Sequence, residues 1–132
     1  MKQIVLLGLG LIALTYILAT SPDADGSHPR AGKLRHVVLF KFKPTATPEQ
    51  IKQVENAFRA LPAKIPEIAT FEWGTDVSPE NLSQGFTHCF LLTFHDAAGR
   101  DAYLPHPAHK EFGKSLKGVL EKACVIDYVA KD

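Results

Sequence analysis

An α+β domain, with helices on one side of a sheet, is predicted for most of this chain. Apolar segments follow one another in the order strand, helix, strand, strand, helix pair, strand. The strand segments are apolar at both odd and even positions, which is typical of strands covered on both faces. Beyond the N-terminal region, roughly a hundred residues remain, which is enough for one domain and too few for two.

The first strand and the first helix have clear local signals. Residues 36–42 are β-branched and aromatic and predict a strand. Thr47 can cap a helix, Pro48 suits the first helical position, and Gln50 completes a capping box. The helix is expected to end before Pro62. Its apolar residues recur at helical spacing and are Ile51, Val54, Phe58 and Leu61.

The remaining elements are separated by polar or proline-containing segments. Residues 68–77 and 86–94 predict the second and third strands. Asp96 can cap a short helix through Leu104, and two prolines separate this helix from a longer one. The apolar side of the longer helix is expected to contain His109, Phe112, Leu116, Val119 and Ala123. Residues 125–129 form the last strand, and the complete order fits a ferredoxin-like βαββαβ protomer.

One face of the predicted sheet has no element left in the chain to cover it. Large apolar residues on that face would form a patch bigger than soluble monomers usually expose. We therefore expect a homodimer in which two sheets pack face to face. Twisted edge strands, or shelter by the linker, are the alternative.

The N-terminal region predicts a targeting segment followed by a linker. A lysine precedes sixteen mostly apolar residues at positions 4–19, and polar residues follow. Residues 1–20 therefore predict a secretory signal peptide, residues 21–34 a flexible linker, and residues 35–130 the domain. The protein is then secreted or periplasmic. An uncleaved membrane anchor is the alternative, although the segment is shorter than the roughly 20 residues that cross a bilayer.

Charge and cysteine content exclude or limit some partners. The chain has 15 Lys and Arg residues against 14 Asp and Glu residues, and this balance argues against a nucleic-acid partner, which needs a basic face. Cys89 and Cys124 are expected to be buried free thiols. A disulfide between them requires neighbouring strands.

Five short segments carry a resemblance to a known family. They are RHVVLFKF at residues 35–42, FEWG at 71–74, GFTH at 85–88, YLPHPAH at 103–109 and DY at 127–128. In this order they resemble the stress-responsive A/B barrel (Dabb, dimeric alpha-beta barrel) domain from residue 35 to about residue 130. The resemblance implies a ferredoxin-like protomer whose sheet faces that of a second copy to form a barrel. It also implies relatives that range from stress-induced proteins to a cofactor-independent plant polyketide cyclase.

Site residues follow from this resemblance by position. It implies that His36, Tyr103 and His109 are catalytic and that His88 is a further histidine of the pocket. Phe40 and Phe90, from the first and third strands, are expected to bind the ligand beside His88. No metal and no cofactor are expected.

The residue types at these positions suit proton transfer. His109 lies in the first turn of a helix on its apolar side, where burial and the helix dipole both favour a neutral imidazole that can accept a proton. Tyr103 can orient that base or stabilise an enolate, and His36 can hold a carbonyl oxygen. A purely structural role for these rings is the main alternative. A metal site formed by His106, His109 and His88 is another.

These observations leave three functional hypotheses open. The first is an exported homodimer that binds a small apolar or aromatic molecule. The second is a cofactor-independent polyketide cyclase, lyase or isomerase that uses a His/Tyr acid–base pair. The third is a relative of the cofactor-free monooxygenases that share the barrel architecture.

Overall fold

The computed structural model describes residues 32–131. The predicted signal peptide or anchor, and nearly all of the predicted linker, lie outside the described residues. Within the described part, no helix is long and apolar enough to span a membrane. The elements in chain order are β1 (Leu34–Phe42), α1 (Pro48–Arg59), β2 (Thr70–Thr75), β3 (His88–Phe94), α2 (Ala97–Tyr103), α3 (Pro107–Ser115) and β4 (Leu120–Val129).

The four strands form one antiparallel sheet in the order β2-β3-β1-β4. Strand β1 is central, and its Val38 lies opposite Phe90 of β3 and Val125 of β4. Of the paired strands, only β2 and β3 are consecutive along the chain. This topology confirms the predicted ferredoxin-like α+β fold.

The helices pack on one side of the sheet over an aromatic core. Alternate residues of β1 and β3 point to this side and are buried. The rings of Phe58 and Phe90 lie 4.2 Å apart, and those of Phe58 and Phe112 lie 4.6 Å apart. Such close aromatic pairs add to the stabilisation that burial alone provides. Helices α1 and α3 are thereby held on the sheet through side chains rather than through backbone contacts.

The start of α1 confirms the predicted capping box. The Gln50 amide donates to Thr47 Oγ1 at 3.2 Å, and the Thr47 amide donates to Gln50 Oε1 at 2.9 Å. The helix ends at Arg59, before the predicted Leu61. Leu61 is still buried at 1% exposure, in the turn that follows. The apolar spacing therefore identified the buried side correctly.

The boundary between α3 and β4 differs from the prediction. Helix α3 ends at Ser115, and Gly118 has a φ of 89°, a left-handed conformation that reverses the chain. Strand β4 then begins at Leu120, so Ala123 lies opposite Phe40 of β1 and not on a helix. The predicted helical series was wrong beyond Leu116, because its last members belong to a turn and a strand. The second and third strands are also shorter than predicted.

The other side of the sheet, which we call the open face, is free of helices. It carries Val37, Leu39 and Leu91, which are half-buried. Ile126 and Tyr128 of β4 share this face by register, and they are 54% and 46% exposed. The open face thus has an apolar centre, with Arg35 and Glu72 on the same face beside it.

Both cysteines lie on the open face. Cys89 is exposed and Cys124 is half-buried, so the expectation of two buried thiols was wrong for both. Leu39 lies between them because it pairs with both. With neighbouring strands about 4.8 Å apart, residues two strands apart are separated by roughly 10 Å, which is beyond the reach of a disulfide. Both thiols are free.

Candidate functional site

Three of the predicted site residues meet on the helix side of the sheet. His36 comes from β1, Tyr103 from the end of α2, and His109 from the first turn of α3. The centre of the Tyr103 ring lies 5.5 Å from that of His36 and 4.2 Å from that of His109. Tyr103 is 1% exposed and His36 is 5% exposed, whereas His109 is half-buried. The phenol therefore lies between two imidazoles, and we call these three residues the ring cluster.

Two helix caps place Tyr103 and His109 together. Asp96 caps α2 by accepting from the Gly99 amide at 2.9 Å. His106 caps α3 in the same way, because its Nδ1 accepts from the Ala108 amide at 3.1 Å. The reversal between the two helices brings His109 back onto the Tyr103 ring. His106 therefore has a structural role.

The proposed three-histidine metal site is not assembled. Within residues 32–131, no group of three or more His, Cys, Asp and Glu side chains lies close enough together to hold a metal ion. One ring nitrogen of His106 serves as a helix cap. His88 lies elsewhere on the sheet, opposite Phe40 rather than His36.

Hydrogen bonds fix the orientation of both imidazoles. His36 Nδ1 lies 2.6 Å from Asp127 Oδ1, and His109 Nδ1 lies 3.0 Å from the carbonyl oxygen of Leu104. A carboxylate and a carbonyl can only accept, so each Nδ1 carries the proton of the neutral ring. The Nε2 atom of each imidazole then has a free lone pair. Both rings can act as proton acceptors through Nε2.

The ionisation of Asp127 supports this assignment. Partial burial acts to raise the pKa of Asp127, but hydrogen bonds from His36 and Arg100 outweigh it, so the pKa lies below the usual value for aspartate. Asp127 is therefore a carboxylate near neutral pH. It stabilises a proton on His36 Nδ1 and any positive charge that His36 acquires.

Tyr103 is suited to donate a hydrogen bond and not to act as a base. Burial, and secondarily the negative charge of Asp127, raise the pKa of Tyr103 far above its ordinary value. The phenol therefore keeps its proton at physiological pH. It can stabilise an oxygen that gains negative charge during a reaction.

Arg100 and Asp127 complete the site, and neither was predicted to belong to it. Asp127 lies directly opposite His36 in the register of β1 and β4. The Arg100 guanidinium contacts Asp127 Oδ2 through Nη1 and Asp101 Oδ1 through Nε, the latter at 2.8 Å. The sequence did contain one signal that Arg100 belongs to the site: it lies three residues before Tyr103, and residues three apart share one side of a helix.

The three predicted ligand-binding residues lie apart from the ring cluster. Phe40 is four residues from His36 along β1, a distance of about 13 Å. Phe40 and Phe90 are 2% and 0% exposed and belong to the aromatic core. His88 stacks on Trp73 with an angle of 9° between the rings, and its Nε2 lies 3.1 Å from Glu55 Oε1.

An apolar strip of β4 lies open beside the ring cluster. Ala123, Val125 and Val129 alternate with Asp127 on the helix side of this strand, as their register with β1 shows. The helices leave them uncovered, and Val125 and Val129 are 53% and 55% exposed. We call these three residues the β4 strip. It offers an apolar molecule a surface that continues to Asp127.

Comparison with known proteins finds one matching family model and several similar proteins. The family model of the Stress Responsive A/B Barrel Domain matches residues 34–130. The stress-response A/B barrel domain-containing protein HS1 of Arabidopsis thaliana is 42% identical over 97 residues, which cover 74% of this chain and 89% of that protein. The olivetolic acid cyclase of Cannabis sativa is 31% identical over 98 residues, which cover 74% of this chain and 97% of the cyclase.

Solved structures show the same fold. A hydroxynitrile lyase from Passiflora edulis superposes with a TM-score of 0.72 at 31% identity, covering 77% of this chain and 96% of the lyase. A dimeric protein of unknown function with a ferredoxin-like fold, from Bacteroides fragilis, has a TM-score of 0.62 at 30% identity, covering 75% and 97% of the two chains. A cofactor-independent oxygenase from Streptomyces nogalater, at 13% identity and a TM-score of 0.61, shares the fold alone.

Proposed function

Because this chain belongs to the stress-responsive A/B barrel family, we propose that it is a cofactor-independent acid–base catalyst of the lyase or cyclase class. Its substrate is a small apolar or aromatic carbonyl compound, or the hydroxynitrile of one. The ring cluster carries this proposal, since a protonated phenol lies between two imidazoles that each keep a free Nε2 lone pair. A cyclase and a hydroxynitrile lyase among the relatives support the same reaction class.

In the proposed chemistry one proton moves from the substrate to an imidazole and then back to the substrate. Nε2 of His109, the more accessible imidazole, removes a proton from a hydroxyl group or from a carbon next to a carbonyl. In the lyase direction the O–H electrons form a carbonyl, a carbon–carbon bond breaks, and the leaving carbanion takes the proton back from the imidazolium. The Tyr103 hydroxyl donates to the oxygen atom whose charge changes. In the cyclase direction the C–H electrons form an enolate, the enolate carbon bonds to a second carbonyl carbon of the substrate, and the new alkoxide takes the proton from the imidazolium.

The β4 strip supports the apolar character of the substrate. Val125 and Val129 are more than half exposed although they lie on the side of the sheet that carries the core. An alkyl or aryl group placed there would bury apolar surface at about 25 cal/mol per Å². The polar end of the same molecule would then reach toward Asp127 and the ring cluster.

A binding protein without catalysis is the second candidate. The near-complete burial of Tyr103 and His36 favours it, because a buried phenol ring and an imidazole that is hydrogen-bonded to Asp127 stabilise a core without any substrate. Under this hypothesis the β4 strip holds an apolar ligand that leaves unchanged.

We also propose that the chain forms homodimers and is exported. The apolar open face supports a dimer with the two sheets face to face. Two solved relatives at 30% and 26% sequence identity are described as dimeric. The apolar segment at residues 4–19 supports export. Mass spectrometry of protein recovered outside the cytoplasm tests export, and an intact N-terminus on all of it would instead indicate an anchor.

The catalytic proposal is tested by turnover of neutral probes. Mandelonitrile tests the lyase direction through release of benzaldehyde and cyanide, and a linear aryl polyketone tests cyclisation. We expect the purified chain, without added metal or cofactor, to accelerate at least one of these reactions above an equal concentration of free imidazole. Saturable binding of the probes with no turnover in either assay would contradict catalysis and support the binding protein.

A further inference from the structure

We propose that Arg100 is a positioning residue that fixes the proton of His36 through Asp127. This inference rests on the proposed function, in which His36 belongs to the catalytic site. The three side chains form a continuous series: Arg100 Nη1 contacts Asp127 Oδ2, and Asp127 Oδ1 accepts from His36 Nδ1 at 2.6 Å. Among the described residues, the polar partners of Arg100 are Asp127 and Asp101 and no member of the ring cluster, so it acts through the carboxylate.

Asp127 needs such support because of where it lies. It belongs to β4, an edge strand, and its side chain is 27% exposed. A carboxylate in that position gains hydration by rotating away from the imidazole. When Arg100 engages the second oxygen, the plane of the carboxylate is fixed and Oδ1 stays directed at His36. Charge-assisted bonds to arginine are among the stronger and more directional hydrogen bonds in proteins.

The position of Arg100 on α2 also connects its support of Asp127 to Tyr103, the hydrogen-bond donor of the site. Arg100 and Tyr103 are three residues apart on α2, so this one helix holds both the phenol and the guanidinium toward β1 and β4. Asp101 accepts from Arg100 Nε at 2.8 Å, but its side chain is 65% exposed, so solvent screens this pair and it holds the guanidinium only weakly. Arg100 lies outside the sequence segments that carry the family resemblance.

Loss of the guanidinium should disturb the proton on His36 and leave the fold intact. The Arg100 side chain is 24% exposed and makes no contribution to the apolar core. Without it, Asp127 can turn to water, and Nδ1 and Nε2 of His36 then compete for the single proton of the neutral ring. The Nε2 lone pair of His36 is then unavailable to the ring cluster for part of the time.

The experiment is nitrogen-15 NMR of the histidine side chains in the complete chain, comparing wild type with Arg100→Gln, Arg100→Lys and Asp101→Asn. We expect His36 in the wild type to carry its proton on Nδ1 alone and Arg100→Gln to show a mixture of both tautomers. Arg100→Lys should restore most of the Nδ1 form. Asp101→Asn is the matched control and should resemble wild type, because Asp101 contacts Arg100 but not Asp127.

Two results would overturn the inference: a single Nδ1 tautomer retained in Arg100→Gln, or a wild-type His36 that carries its proton on Nε2. Turnover of mandelonitrile separates this question from the proposed function. Absence of wild-type turnover on both mandelonitrile and the linear aryl polyketone contradicts catalysis, and the NMR comparison still decides the role of Arg100. Where the wild type is active, we expect kcat of Arg100→Gln to fall about tenfold and that of Asp101→Asn to stay unchanged.

Discussion

At the scale of single residues, the site depends on hydrogen bonds that decide which atom carries each proton. Asp127 and the Leu104 carbonyl hold the Nδ1 protons of two imidazoles, and burial keeps the Tyr103 phenol protonated. This arrangement separates the roles of base and hydrogen-bond donor. Neither imidazole needs a cofactor to present a lone pair.

Sequence alone predicted three of the rings that the structure brings together in this candidate site. The resemblance implied His36, Tyr103 and His109, and the structure brings these rings together. It did not point to Arg100 or to a role for Asp127. Asp127 lies 91 residues from His36 along the chain, so their contact follows only from the register of two strands.

The first prediction concerns the pH dependence of stability. The pKa of Asp127 is lowered in the folded chain. Asp127 therefore stabilises the fold at pH values above the pKa of aspartate in the unfolded chain, which is near 3.9. This contribution is lost as the pH falls through the pKa of the folded state. We expect Asp127→Asn to lower the free energy of unfolding at about pH 6 and the difference from wild type to shrink toward about pH 2. Urea unfolding at a series of pH values measures this. A difference that is constant with pH would contradict the assignment, and Asp101→Asn is the exposed control.

At the scale of elements, local signals predicted the beginnings of helices better than their ends. Helix α1 begins where Thr47, Pro48 and Gln50 place it, because a capping box is formed by residues close in sequence. Helix α3 ends earlier than its apolar spacing indicated. Val119 and Ala123 continue that spacing but belong to the turn and to β4, where pairing with β1 replaces helical hydrogen bonds. Sheet pairing is a long-range effect that the spacing does not contain.

Gly118 permits the change from α3 to β4, which leads to the second prediction. Its φ of 89° is unfavourable for other residues, and an added methyl group would meet nothing within 4 Å. Gly118→Ala should therefore lower the free energy of unfolding by about 1–2 kcal/mol through backbone strain alone.

Gly113→Ala is the matched control for this prediction. Gly113 lies inside α3 without a positive φ, and an added methyl group also meets nothing within 4 Å. Because alanine favours a helix by up to about 1 kcal/mol, Gly113→Ala should be neutral or stabilising. Denaturant unfolding of both variants measures the contrast. Equal losses of stability would show that the turn at Gly118 is not the origin of the effect.

At the scale of the whole molecule, a single sheet with apolar residues on both sides predicts a partner. The order of apolar segments along the chain already indicates one, because the elements are too few to cover both sides. The structure describes helices on one side and leaves Ile126 and Tyr128 about half exposed on the other. What the sequence could not indicate is that β4 also leaves its helix side uncovered, since this depends on how far α2 and α3 extend across the sheet.

The third prediction uses two neighbours on β4 that point to opposite sides. Ile126 on the open face and Val125 on the β4 strip are 54% and 53% exposed. Ile126→Glu should convert the proposed dimer to a monomer, because it places two charges in an apolar interface without partners. Val125→Glu should leave the dimer intact and weaken binding of apolar probes. Sedimentation at micromolar concentration measures the oligomeric state of both variants, and a monomeric wild type would contradict the dimer.

The acid–base role of the ring cluster is tested most directly by the turnover of His109→Ala relative to wild type on the same probe. His95→Ala serves as the control, since His95 is exposed and lies outside the cluster. Removal of a general base should lower kcat by roughly 10² to 10⁴, with probe affinity changed by no more than a few-fold and His95→Ala equal to wild type. A His109→Ala variant that turns over the probe as fast as wild type would contradict the account.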